Sequence, residues 1–124
     1  MQKIIMLAAA GSLGTLARYW LGGVAQRLGG SAFPWGTLAV NIIGCFFAGL
    51  LWAVYEHHWQ VSPETRLIVL VGFMGAFTTF SAFILDTGHI IKTSDWMFVV
   101  SNIFLQNGLG IAFLFAGMFL GRIK

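Results

Sequence analysis

The chain has 124 residues, of which 58% are hydrophobic and only 9% charged, and its mean hydropathy is +0.85. Soluble domains carry about 25% charged residues, so this chain lacks the polar groups to cover itself in water and an ordinary soluble fold is excluded. Its formal charge of +3 comes from seven Lys and Arg residues spread along the chain, with no stripe that could follow a phosphate backbone, which argues against a nucleic-acid partner. The single cysteine, Cys45, excludes an internal disulfide, and CxxC and HExxH patterns are both missing, so redox and zinc chemistry are poor candidates.

Roughly 20 apolar residues cross a bilayer as a helix, and four stretches approach or exceed that length: Ile4 to Leu21, Trp35 to Tyr55, Leu67 to Ile91 and Trp96 to Leu120. The opening Met1-Gln2-Lys3 followed by Ile4 to Ala10 has the look of a signal peptide, but a second apolar stretch follows, so it reads as the first membrane helix. The segments between are Gln26 to Pro34, Glu56 to Arg66 with Pro63, and a tight turn at Lys92 to Asp95. Connections this short make successive helices antiparallel neighbours. Trp20, Trp35, Trp52, Trp59 and Trp96 all fall near segment ends, where an indole sits at the headgroup level. The expectation is an all-α membrane protein with one four-helix domain over 1–124.

Four crossings put Lys3, Arg66, Arg122 and Lys124 on one side and Arg27 and Lys92 on the other. Such a small Lys/Arg difference is compatible with insertion in both orientations, hence with an antiparallel homodimer, and equally with one orientation whose termini are cytoplasmic. A chain of this size has little room to enclose a pathway alone, which is a separate reason to expect a dimer.

In the first stretch, Arg18 stands near the end, where it either snorkels to the interface or turns into a polar vestibule that attracts anions. On the second, Thr37, Asn41, Gly44 or Cys45, and Ala48 share one face. An amide in hydrocarbon needs a partner, so Asn41 either bonds a neighbouring helix, the commoner use, or donates to a passing anion. The third stretch holds Gly72, Gly75 and the pair Thr78-Thr79 near its midpoint, a weak point for a helix. Freed carbonyls at membrane depth are tolerated where they are buried in protein, line water or coordinate an ion; the competing reading is that the glycines only admit a neighbouring helix. Phe73, Phe77, Phe80 and Phe83 recur at helical spacing, first of all as packing rings, although the positive edge of a phenyl ring can face a small anion. Asp86 and His89 lie toward the segment end, while His57 and His58 are adjacent beside Glu56, which is no metal-ligand spacing. The fourth stretch carries Asn102, Gln106 and Gly110 on one face, Asn107 beside it, and Gly117 to Gly121 as a GxxxG that close packing explains.

Three runs, Gly14-Thr15-Leu16-Ala17-Arg18-Tyr19, Pro34-Trp35-Gly36-Thr37-Leu38-Ala39-Val40-Asn41 and Gly72-Phe73-Met74-Gly75-Ala76-Phe77-Thr78-Thr79-Phe80-Ser81-Ala82-Phe83, together resemble the Fluc/CrcB family of fluoride channels in order, spacing and four-segment plan. The resemblance covers essentially the whole chain, and the GFxGxFTTFSxF run is highly specific. It implies a dual-topology antiparallel homodimer in a prokaryotic inner membrane with two fluoride pores, each built from both subunits. It also implies a third helix broken near the midplane and a structural sodium ion on the two-fold axis, held by backbone carbonyls that match Gly75 and Thr78. The family's pore phenylalanines match Phe80 and Phe83, its pore asparagine matches Asn41, Ser81 and Thr37 match its polar track, and Arg18 matches a vestibular or structural arginine. Many members read Ser-Thr-Phe-Ser after the first pore phenylalanine, where this chain reads Ser81-Ala82-Phe83-Ile84 and so lacks two hydroxyls. Asp86 is the nearest counterpart of the family's acidic residue. A serine of its fourth helix has no clear match, with Gly110 nearby and Gln106 one turn earlier.

The function so implied is passive, selective fluoride export, with no ATP site required. A small multidrug-type proton-coupled exporter is the rival from another class, but it would want an acid deep in a membrane helix, and Glu56, Glu64, Asp86 and Asp95 all lie away from segment centres. A purely structural membrane subunit is the third reading. An enzyme is disfavoured because no nucleophile, base and acid converge.

Overall fold

In hydrocarbon a backbone must satisfy its own N–H and C=O groups, so each long apolar run is driven into a helix. The computed structural model describes residues 1–93 and 95–123; Ser94 and Lys124, and with them part of the turn expected at Lys92 to Asp95, lie outside the described residues. Among the described residues, four helical spans are long and apolar enough to cross a membrane: α1 (Gln2–Gly29), α2 (Trp35–His57), a third span (Pro63–Lys92) and a last one (Trp96–Arg122). The third span is composite. It opens with α3 (Pro63–Leu67), widens into a π-helical stretch (Ile68–Met74), returns to a short α4 (Gly75–Phe77) and continues after Thr78 and Thr79 as α5 (Phe80–Lys92); the last span is α6 (Trp96–Arg122).

The ends have local causes. α1 runs on to Gly29, beyond the Leu21 limit read from apolarity, because Gln26 is used structurally: its Oε1 accepts the Gly36 N–H at 3.0 Å and its Nε2 donates to the Phe33 carbonyl at 3.0 Å. The loop expected over Gln26 to Pro34 is correspondingly shorter, beginning at Gly30, whose φ of 86° stops the helix where an L side chain would be strained. α3 starts on Pro63 with Ser62 as its cap, the Ser62 Oγ accepting from the Thr65 N–H at 3.1 Å. Asp95 caps α6 through the Phe98 N–H at 3.3 Å.

α2 packs most extensively on α6, and small residues set that seam. A methyl on Gly49 would run into the Leu114 carbonyl, one on Gly117 into the Phe46 carbonyl, and one on Gly121 would lie 2.7 Å from the Leu50 carbonyl. Gly117 and Gly121 are therefore packing residues. α1 lies against the π-helical stretch, with Gly14 facing the Phe73 carbonyl and Gly72 facing Leu7 and Ala10. Val40, Met74 and Phe77 form the buried centre between α1, α2 and the third span, and they fix the height at which the third span meets α2.

Candidate functional site

In a continuous helix the Thr79 N–H would bond the Gly75 carbonyl and the Ala82 N–H would bond the Thr78 carbonyl. Here Thr78 (φ −81°, ψ 155°) and Thr79 (φ −150°, ψ 113°) have extended backbone. The Thr79 N–H donates to Asn41 Oδ1 at 2.8 Å, and the Ala82 N–H donates to Thr79 Oγ1 at 3.2 Å, so the Gly75 and Thr78 carbonyls lose their helical donors to two side chains. Asn41 Nδ2 donates in turn to the Thr79 carbonyl at 3.1 Å and to Gln106 Oε1 at 3.0 Å. The Thr78 N–H and hydroxyl both donate to the Met74 carbonyl, at 3.0 Å each. The π-helical stretch ends on a five-residue bond, Gly75 N–H to Leu70 C=O.

This junction separates two hollows. One, of about 350 Å³, is bounded by Asn41, Cys45, Thr78, Phe80, Phe83 and Gln106 among others. Phe80 is 73% exposed and Phe83 only 6%; their rings stand 5.5 Å apart at 62°, edge toward face. Phe73 and Phe77 instead stack at 6.0 Å, with Phe77 part of the buried centre and Phe73 packed against it.

The other hollow is a groove of about 560 Å³ lined by Arg18, Thr37, Ser81 and Asp86. Thr37 Oγ1 donates to Asp86 Oδ2 at 2.6 Å, and Ser81 Oγ pairs with Thr79 Oγ1 at 3.2 Å. The sequence-derived candidates thus fall into two groups: Asn41, Phe80, Phe83 and Thr78 at the first hollow, and Arg18, Thr37 and Ser81 at the second, with Thr79 lining both. Gly75 is exposed on the outer side of the span. Neither hollow is lined by a catalytic constellation: the first sets amides, hydroxyls, a thiol and two phenyl rings among the apolar Leu70, Met74 and Leu114, with both N–H bonds of the Asn41 amide already engaged.

Sequence reading placed Gln106 on a polar face without a partner and passed over Thr87 entirely. In the structure Asn41 reaches Gln106, and Asn102 Nδ2 donates to Thr87 Oγ1 at 2.9 Å. A hydroxyl in an otherwise greasy helix, four residues after Phe83, was the available signal for Thr87.

A family model described as CrcB-like protein, Camphor Resistance (CrcB), matches residues 5–118. The chain belongs to the CrcB family. Its relatives agree over nearly their full length: a protein of Desulforapulum autotrophicum is 56% identical over 98% of this chain and 97% of its own, and one of Solidesulfovibrio magneticus is 46% identical over 99% and 98%. A third, from Nitrosococcus oceani, is 44% identical over 98% of each chain. All three relatives bear the name Fluoride-specific ion channel FluC. Within the CrcB match fall every residue of both hollows named above and the whole Thr78–Thr79 junction.

Proposed function

We propose that the chain is a fluoride-selective channel through which cytoplasmic fluoride leaves the cell passively, and that it is not an enzyme. The observation that carries this reading is the first hollow, where the edge-on pair Phe80 and Phe83 stands beside the Asn41 amide and no fixed cation is among the lining residues. Fluoride holds its water tightly, so a pathway must replace that shell with donors and ring edges and still release the ion. A buried Lys or Arg would bind too well; amide, hydroxyl and ring-edge contacts are individually weak. Arg18, in the wider groove with Thr37 and Ser81, is where an anion first gathers.

The working unit is an antiparallel dual-topology homodimer in a prokaryotic inner membrane, with two pores to which both subunits contribute. Supporting it are the near-even Lys/Arg distribution and the many large apolar side chains left facing outward, such as Leu13, Leu16 and Trp20 on α1. The Thr78–Thr79 junction is read as a midplane break of the third helix. A structural sodium ion fits the chemistry there, since the Gly75 and Thr78 carbonyls are among those whose helical donors are engaged elsewhere. When bound, such an ion would supply a fixed charge tying the two copies together.

The test is protection in cells: expression in a bacterium deprived of its own fluoride exporter should restore growth in millimolar fluoride at neutral to mildly acid pH. Failure of correctly inserted protein to protect would count against export.

A further inference from the structure

Beside the return bond from Asn41 Nδ2 to the Thr79 carbonyl, four hydrogen bonds around the phenylalanine pair run in one direction. The Thr79 N–H donates to Asn41 Oδ1 at 2.8 Å, and Asn41 Nδ2 donates to Gln106 Oε1 at 3.0 Å. Further along, Asn102 Nδ2 donates to Thr87 Oγ1 at 2.9 Å, and Thr87 Oγ1 donates to the Phe83 carbonyl at 2.7 Å. The direction is fixed from its start: a backbone N–H only donates, so Asn41 must turn its oxygen to Thr79 and its NH2 to Gln106, which then presents its oxygen to Asn41. One link is open. Gln106 Nε2 is a buried donor without a partner, and Asn102 Oδ1 a buried acceptor without one. Less than 1 Å² of either atom is accessible, so water does not reach them. Asn102 is 0% exposed and Gln106 8%, and they stand four residues apart on one face of α6. Helical side chains lean toward the N-terminus, which carries the Gln106 amide over Asn102, and Gln–Asn pairs at this spacing hydrogen-bond. Two dry orphans of opposite kind, each costing about 1–3 kcal/mol, make the missing bond strongly favoured.

We propose that Gln106 and Asn102 are positioning residues for permeation, joined by a direct amide bond that completes a chain from the Thr79 N–H to the Phe83 carbonyl and holds the Phe80–Phe83 turn in place. Resting on the channel reading, this gives α6 a role in the pathway through side chains that need not touch the ion.

The test uses purified protein in liposomes, with fluoride efflux followed by electrode. In Gln106→Glu the neutral carboxylic acid accepts from Asn41 and donates to Asn102, so the chain survives; once ionised, two acceptors face each other where no water enters. The neutral acid keeps the chain whole and the carboxylate breaks it, so flux of Q106E should fall about tenfold as pH rises from about 6 to about 9, while wild-type flux stays flat. Of the titratable groups nearby, Cys45 on α2 shares the hollow, Asp86 on α5 faces the other groove with Thr37, and His89 is exposed on α5; the wild-type profile registers all of them. At the far end, Thr87→Val should lower flux and Thr87→Ser restore it. Q106E flux that tracks wild-type at every pH, or a loss in Q106E that ignores pH, overturns the inference, as does wild-type flux from T87V. Wild-type vesicles that release no fluoride overturn the channel reading itself, and the inference with it.

Discussion

Asn41 grips Thr79 twice: its Oδ1 accepts the Thr79 N–H at 2.8 Å while its Nδ2 donates to the Thr79 carbonyl at 3.1 Å. One side chain on α2 thereby takes the Thr79 N–H that a continuous helix would give to Gly75, and both hydrogens of its NH2 are spent, on the Thr79 carbonyl and on Gln106 Oε1, which is the helix-bonding use of the amide. The amide that holds the junction open is also a wall of the hollow beside Phe80 and Phe83.

Replacing Asn41 should therefore affect stability and flux together. Asn41→Leu leaves a backbone N–H and a carbonyl unpaired and should cost about 2 kcal/mol or more, read as a lowered melting temperature of the protein in detergent. Asn41→Ser, too short to hold both groups, should fold better than the leucine variant yet lose most fluoride flux. Full flux in N41S would remove the amide from the pathway.

The two rings should separate by burial. Phe80 is exposed, so Phe80→Ile should leave thermal stability unchanged, while Phe83, only 6% exposed, should cost about 1 kcal/mol as isoleucine. Both substitutions should depress fluoride efflux, and unchanged efflux in either would take that ring out of the path.

Cys45 offers an independent probe of the hollow, since its side chain lines the same cavity as Asn41, Phe83 and Gln106. A small, membrane-permeant methylthiolating reagent should slow fluoride efflux of the wild type, and Cys45→Ser should be resistant. Efflux that is indifferent to complete labelling would place the pathway elsewhere.

The α2–α6 seam makes a prediction free of any function. Gly49→Ala and Gly117→Ala push a methyl into backbone and should cost about 1–3 kcal/mol each, whereas Gly88→Ala and Gly108→Ala, which meet nothing within 4 Å, should be tolerated. Melting temperatures in detergent distinguish the two pairs.

Much of this was legible in sequence. The four helices follow from apolar run length, and the GxxxG packing role follows from small residues at Gly117 and Gly121. What period and composition do not carry is use. Apolarity ended the first helix at Leu21, but Gln26 bonds Gly36 and Phe33 and carries α1 to Gly29. The Thr-Thr pair marked a weak point, yet which amide would take over the Thr79 backbone depends on the height at which α2 meets the third span, set by Val40, Met74 and Phe77. Thr37 and Ser81, matched to a polar track beside the phenylalanines, line the groove that also holds Arg18, while Phe80 and Phe83 line the other hollow; motif spacing does not carry that division, which Thr79 makes by lining both.

The decisive measurement is fluoride release from liposomes holding purified wild-type protein, with chloride as the competing anion and ion-selective electrodes as readout. Fluoride should leave rapidly while chloride is retained. Chloride release at a comparable rate, or no fluoride release from well-reconstituted protein, would contradict a fluoride-selective pore at Asn41, Phe80 and Phe83.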